Sequence, residues 1–246
     1  MEIIKTAGLT KEYPSGLFQK GPRALDQLDL AVSAGEVFGF LGPNGAGKTT
    51  TIKILVGLMR QTSGTAQLFG QDGNNTEARS KIGFLAESSH FYEYLTASEI
   101  LGFYGNLFSL SKSLIKERTI TLLKQVGLES SGHLQLRKFS KGMLQRIGIA
   151  QALINDPELV ILDEPMSGLD PIGRKEMREL ILSLKTEGKT IFFSSHIMHD
   201  VEMICDRVGI LAQGKLLAVG KIDEITQGKE TLEESFIRIV QGEQVI

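Results

Sequence analysis

The run Gly42-Pro43-Asn44-Gly45-Ala46-Gly47-Lys48-Thr49 constrains this chain more than any other segment, because it matches G-x-x-x-x-G-K-[ST] at every fixed position. The spacing has a chemical reason. Glycines let the backbone curl until successive N–H groups converge on phosphate oxygens, with no Cβ in the way. A helix beginning near Lys48 adds its positive dipole end. The Lys48 ammonium reaches β- and γ-phosphates, and the Thr49 hydroxyl can take one octahedral position on Mg2+.

The flanks of this loop set the fold class. Val37-Phe38-Gly39-Phe40-Leu41 is short, apolar and ends at a glycine, which predicts a buried strand, and Lys48–Leu55 predicts a helix. A second strand, Leu159-Val160-Ile161-Leu162, ends on Asp163 and Glu164; a third, Thr190–Ser195, ends on His196. Between them Asp170 can cap a helix with Pro171 at its first position and Leu180, Ile181 and Leu184 as its apolar stripe. Such alternation argues for an α/β fold, a mostly parallel sheet with helices on its faces. Residues 2–36 and 206–220 read instead as short strands joined by turns, for instance around Gln213-Gly214. From about 95 to 150 the pattern is helical, with Ile100, Leu101, Tyr104 and Leu107 in one stretch and Ile120, Leu123 and Val126 in another. That predicts a helical lobe inserted into the sheet core.

Composition narrows the partners. At 246 residues, with 27 Lys and Arg against 29 acids, the net charge of −2 offers a polyanion such as DNA no basic surface, so no direct nucleic-acid contact is expected. The single cysteine, Cys205, fits a reducing compartment and, at helical spacing from Val201, a buried core thiol. Met1-Glu2-Ile3-Ile4-Lys5 lacks the apolar core of a signal peptide, and no stretch approaches the roughly 18 apolar residues needed to cross a bilayer. Any action on a membrane is expected to go through a partner.

Asp163 and Glu164 fall at the carboxyl edge of the sheet, where α/β folds bind ligands. Side chains alternate along a strand, so the two are expected to face opposite ways and divide the labour. Asp163 would hold Mg2+ through a water, and Glu164 would orient and deprotonate the attacking water. Phe139-Ser140-Lys141-Gly142-Met143-Leu144-Gln145-Arg146 forms a second glycine motif, with Ser140 placed as the N-cap of a helix running to Leu153. A second phosphate-facing motif implies either two nucleotides or an interface.

Taken in this order, the set resembles the nucleotide-binding subunit of an ATP-binding-cassette (ABC) transporter over nearly the whole chain. Gly42, Pro43, Asn44, Gly45, Ala46, Gly47, Lys48 and Thr49, with Thr50 after them, match its Walker A loop. Leu159 to Asp163 match its Walker B strand, Glu164 its catalytic glutamate, Ser140 and Gly142 its signature, Ser167-Gly168-Leu169-Asp170 its D-loop and His196 its switch histidine. Tyr13 falls where the family stacks an aromatic on adenine, a contact worth about 1–3 kcal/mol. The resemblance implies a P-loop NTPase (RecA-like) core sheet with an antiparallel β subdomain and an inserted α-helical subdomain. Over residues 1–246 it implies a core plus β subdomain at about 1–90 and 151–225, a helical subdomain at about 91–150 and a helical tail at about 226–246. It also implies ATP and Mg2+ as ligands, and two copies, or this chain and a sister ATPase subunit, packed head to tail. ATP would lie between the Walker A loop of one and the signature of the other, Asp170 included, with Lys48 and His196 at the γ-phosphate. A separate integral membrane permease would be the transport partner, which places the chain in the cytoplasm on the inner face of the cell membrane.

Three residues depart from the family pattern. Lys141 stands for the first glycine and Met143 for the glutamine of Leu-Ser-Gly-Gly-Gln, and Glu87 stands where most members have the Q-loop glutamine. Lys141 either adds charge near the phosphates or is simply solvated, and Glu87 can still meet Mg2+ or the attacking water. These variants, with Leu-Thr-Ala-Ser-Glu at 95–99 and Thr231-Leu232-Glu233-Glu234-Ser235-Phe236, resemble a branch whose ATPases serve separate six-helix permeases that usually export their substrates. In that family a groove near Phe91, Tyr92 and Tyr94 receives a short permease helix; the plainer reading is that these aromatics pack under the lobe. The alternatives are a soluble cassette ATPase that remodels nucleic acid or ribosomes, and a regulatory module that binds ATP without hydrolysis. Fewer than a hundred residues between Lys48 and Ser140 argue against the coiled-coil repair members. Glu164 and His196 argue against a silent module.

Overall fold

The computed structural model describes residues 1–15, 19–88 and 90–242. Its amino-terminal segment departs from the expected short strands: β1 (Glu2–Ser15) and β2 (Gln19–Ser33) are 14 and 15 residues long. They pair antiparallel through repeated register shifts, so a long ribbon is bent by bulges rather than cut into pieces. β4 (Ser63–Leu68) pairs with the other edge of β1, and the two-residue β5 (Gln71–Asp72) completes a sheet of order β2-β1-β4-β5.

The second sheet follows the sequence expectation closely. β3 (Val37–Leu41), β6 (Ile82–Leu85), β7 (Leu159–Asp163), β8 (Thr190–Ser195), β9 (Arg207–Ala212) and β10 (Lys215–Lys221) stand in the order β10-β9-β3-β8-β7-β6. All neighbours run parallel except β10, which returns antiparallel on β9 through the predicted Gln213-Gly214 turn. Every residue of β3, β7 and β8 is buried.

Side-chain alternation splits the interior into two clusters. On one face Phe38, Phe40, Ile161 and Phe192 pack with Leu9, Leu28, Leu30 and Ile52, which closes the parallel sheet against the antiparallel one and α1 (Lys48–Leu55). On the other face Val160, Leu162, Ile191 and Phe193 meet the helices. There α3 (Ala97–Leu107), α4 (Lys112–Gln125) and α5 (Lys141–Leu153) contribute Ile100, Leu101, Leu122, Leu123 and Ile147, while α6 (Pro171–Thr186) and α7 (Met198–Ile204) contribute Leu180, Ile181 and Val201. The short α2 (Thr76–Ser80) precedes β6, and α8 (Ile222–Thr226) and α9 (Leu232–Gln241) follow β10. Residues 243–246 of the anticipated tail lie outside the described residues.

Local signals account for the helix starts. Thr96 and Glu99 form a reciprocal capping box at α3, Ser140 Oγ accepts from the Met143 N–H at α5, and Asp170 Oδ1 accepts from the Gly173 N–H at α6. Cys205 packs against the core and approaches Gly39, and burial pushes its thiol pKa up. Among the described residues no helix is long and apolar enough to cross a membrane.

Candidate active site

Because β3, β8 and β7 are successive parallel neighbours, the residues at their carboxyl ends emerge side by side: Gly42, His196 and Asp163-Glu164. The loop after β3 depends on glycine at two points. A Cβ at Gly42 would lie 2.4 Å from the Leu211 carbonyl oxygen. At Gly47, φ is +113° and a Cβ would meet the Ala24 carbonyl oxygen at 2.5 Å. The β9–β10 turn braces the same loop, with Gly214 N–H donating to the Ala46 carbonyl at 2.9 Å.

Lys48 is 6% exposed and donates to the carbonyls of Gly42 (2.7 Å) and Pro43 (3.3 Å). Its Nζ is 3.3 Å from Glu164 Oε1. The other Glu164 oxygen, Oε2, accepts from His196 Nδ1 at 2.8 Å. Lysine, glutamate and histidine are thus linked across the mouth of the loop by one ion pair and one hydrogen bond. Beside it, Asp163 Oδ1 accepts from Thr49 Oγ1 (3.4 Å) and from Ser194 Oγ (2.6 Å).

This corrects the expectation that the two carboxylates face opposite ways. Glu164 has φ +51°, a left-handed conformation rare for a non-glycine residue. The chain therefore leaves the extended geometry of β7 at Glu164, and both carboxylates turn towards α1. Ser194 Oγ also accepts from the Glu164 N–H at 2.9 Å, which fixes the turn. Ser194 was missed in the sequence because a serine at the end of a strand looks ordinary; the signal was its register, directly opposite Asp163.

Burial raises the Asp163 pKa, against the lowering effect of the Ser194 and Thr49 hydrogen bonds and the Lys48 charge. A carboxyl that holds its proton more tightly when folded stabilises the fold below its unfolded pKa, and that contribution is lost as pH rises through the folded value. Above that folded value the ionised Asp163 therefore opposes folding. Asp163→Asn should raise the melting temperature by a few degrees in nucleotide-free buffer, with the gain shrinking towards about pH 4. Thermal melts across that range decide it, and an equal or lower neutral-pH melting temperature would contradict the assignment.

An open cleft of about 440 Å3 runs along the loop, lined by Tyr13, Ala24, Pro43 to Thr50, Glu87 and Glu164. Tyr13 lies at its rim, with its hydroxyl 3.3 Å from Thr50 Oγ1 and Lys11 Nζ 5.6 Å from the ring centroid. Glu87 is exposed and faces the same cleft. Ser140, Gly142 and Asp170 do not join this group. They line a different cleft of about 370 Å3, together with Lys141, Gly168 and Leu169. Within one chain Asp170 serves α6 as its cap, and Lys141 Nζ lies over Gly168, only 2.0 Å from where a Cβ would stand.

The predicted aromatic group also divides. Phe91 packs on the helix-side core and lines a groove of about 450 Å3 with Phe84, Tyr104, Leu107 and Phe108. Tyr92 instead contacts Tyr94 and Phe103 at ring-centroid distances of 5.9 and 5.8 Å on the surface.

Comparison with known proteins identifies the family. The family model described as ABC transporter matches residues 25–167. An uncharacterised ABC transporter ATP-binding protein of Synechocystis sp. is 49% identical over 94% of this chain and 66% of its own length. The bacitracin transport ATP-binding protein BcrA of Bacillus licheniformis is 47% identical over 87% of this chain and 68% of its own. The lantibiotic transport ATP-binding protein SrtF of Streptococcus pyogenes is 40% identical over 95% and 96%. The chain thus spans about two-thirds of the first two relatives and nearly all of the third. Among solved structures, the ATP-binding subunit of an ABC transporter superposes with a TM-score of 0.84 at 30% identity, covering 96% of this chain and 99% of that one. A dimeric post-hydrolysis cassette bound to ADP and Pi gives 0.81 at 26% identity, covering 89% and 98%. Loop, strands and relatives lead to one conclusion: this chain belongs to the ABC transporter family, as an ATP-binding, ATP-hydrolysing subunit.

Proposed function

We propose that the chain hydrolyses Mg-ATP in a head-to-tail pair and couples closure and parting of that pair to export by a separate membrane permease. The observation that carries the pairing is that the two phosphate-facing motifs open on different clefts of one chain. A single copy offers Lys48, Thr49, Glu164 and His196 to one nucleotide, and Ser140, Gly142 and Asp170 to the nucleotide of another copy. In this reading Tyr13 stacks on the base, Gly42 to Thr50 cradle the phosphates, Lys48 and His196 hold the γ-phosphate, and Glu164 takes the proton of the attacking water. Thr49 and Asp163 already share a hydrogen bond, and their hard oxygen donors suit Mg2+, as does Glu87 across the cleft. When bound there, Mg2+ supplies charge neutralisation at the phosphates.

A mixing experiment tests the pair. Lys48→Ala and Ser140→Arg should each abolish turnover alone. A mixture should recover part of it, because a mixed head-to-tail pair keeps one site with both Lys48 and Ser140 intact. No recovery at any ratio would sink the arrangement.

Within the single cassette, the core and β subdomain (about 1–90 and 151–225) and the helical subdomain (about 91–150) are the parts that would move against each other. The apolar groove of Phe84, Phe91, Tyr104, Leu107 and Phe108 is the surface for a permease helix, which would hold the subunit at the inner face of the membrane. Export follows from the relatives, which are named for bacitracin transport, lantibiotic transport and fluoroquinolone export. Those names do not favour the remodelling alternative. Leu107 is 64% exposed, so Leu107→Asp should leave folding and ATP binding intact while copurification with the permease falls sharply. Undiminished copurification would remove the groove from this role.

A further inference from the structure

Asp200 is a fully buried carboxylate outside the nucleotide cleft. It lies in the first turn of α7, four residues beyond His196. Two arginines of α6 face it: Arg178 Nη1 donates to its Oδ1, whereas Arg174 Nη1 stands 3.8 Å from its Oδ2, too far for a hydrogen bond. Asp200 Oδ2 and Arg174 Nε are both buried without a hydrogen-bond partner. A buried carboxylate half satisfied beside a buried guanidinium N–H is an incomplete pair, and a shift of under about 1 Å between the helices would complete it.

The two helices carry different parts of the machinery. α6 is rigidly joined to Ser167–Asp170: Asp170 Oδ1 accepts from the Gly173 N–H (2.7 Å), and the Arg174 N–H donates to the Asp170 carbonyl (2.9 Å). That segment lines the cleft of Ser140 and Gly142. α7 follows His196 with only Ile197 between, and the Ile197 N–H is tied to Ser195 Oγ at 2.9 Å. Asp200 therefore spans the step between the loop that holds Glu164 through His196 and the loop that faces the other cleft.

We propose that Asp200 is a positioning residue, a latch that sets His196 against Glu164 according to where Arg174 and the Ser167–Asp170 loop stand. Closure of a second copy on the Ser140 cleft moves that loop, completes the Arg174–Asp200 pair and locks His196 in place. The inference rests on the roles proposed for His196 and for the head-to-tail pair. It adds the element that passes the state of one cleft to the other.

A double-mutant cycle on steady-state Mg-ATP hydrolysis by the full chain separates a latch from a plain helix staple. Asp200→Asn keeps the shape and removes the charge; it should lower kcat by about tenfold and leave KM for ATP unchanged. Arg174→Gln acts on a side chain 32% exposed and should do the same to a smaller degree without loss of folded protein. In a His196→Ala background neither substitution should lower kcat further, because its effect passes through His196. Equal losses of kcat in both backgrounds, or a raised KM with kcat unchanged, would overturn the latch. If Asp200→Asn melts at the assay temperature, the Arg174→Gln arm decides by itself. A His196→Ala variant with normal turnover defeats the histidine's assigned role, and the latch with it. Normal turnover in Asp200→Asn beside a dead His196→Ala defeats the latch only.

Discussion

Glu164→Gln should reduce Mg-ATP turnover by about 10²–10⁴-fold, the range typical for loss of a general base, and leave ATP binding intact. Glutamine has the same shape and can still meet His196, whose Nδ1 lies 2.8 Å from Glu164 Oε2 in the native chain. Lys48 loses an ionic partner at 3.3 Å but keeps the carbonyls of Gly42 and Pro43, so the phosphate loop retains its form. What disappears is a carboxylate oxygen able to accept a proton from water. With binding retained and the chemical step blocked, the ATP-bound pair should accumulate. Phosphate release and size-exclusion chromatography with and without ATP read the two effects separately. Turnover near wild type would take Glu164 out of its role, and loss of ATP binding would make it a structural residue of the loop.

Phe192→Ala should cost about 3–5 kcal/mol of stability, the usual range for emptying a buried aromatic site. Phe192 is completely buried, with ring centroids 5.8 Å from Phe38 and 5.4 Å from Phe40. It fills the layer between the parallel sheet and the antiparallel one, where neither backbone can collapse without breaking its ladder. For a chain of this size that corresponds to a melting-temperature drop of roughly 6–20 °C. Phe192→Leu should lose much less, since it leaves a smaller void. Thermal melts of both variants in the absence of nucleotide make the comparison. A drop of only a degree or two for alanine would mean that the two sheets can close up on the space. The adjacent Phe193 points to the helix side and belongs to a different cluster, so its alanine variant should loosen the helices rather than the β layer.

Much of this was legible in the sequence because the signals are local. The phosphate loop carries its own turn chemistry, and β3, β7 and β8 are buried throughout with apolar runs at their centres, as strands covered on both faces require. Ser140 and Asp170 announced their helices because a capping side chain sits within three residues of the N–H it binds. The long β1–β2 ribbon was less legible, since bulges interrupt its alternation and mimic turns. The direction of Glu164 escaped the alternation rule because that rule assumes extended backbone, and φ at Glu164 is +51°. Ser194 and Asp200 were silent because nothing near them in sequence is their partner: Asp163 lies 31 residues from Ser194, and Arg178 lies 22 from Asp200.

Legible from the sequence were the phosphate-loop motif after β3, the strands of the central sheet, and a second glycine motif at Ser140 and Gly142. Each of these depends on residue types at fixed short spacing. The folded chain alone brings Lys48, Glu164 and His196 into one line, ties the Asp163 carboxylate to the Glu164 backbone through Ser194, and opens Ser140, Gly142 and Asp170 on a separate cleft. Those relations depend on the order β3-β8-β7 and on the packing of α6 against α7. Strand order and helix packing are set by the sum of many weak long-range contacts, and no short stretch of sequence carries that sum.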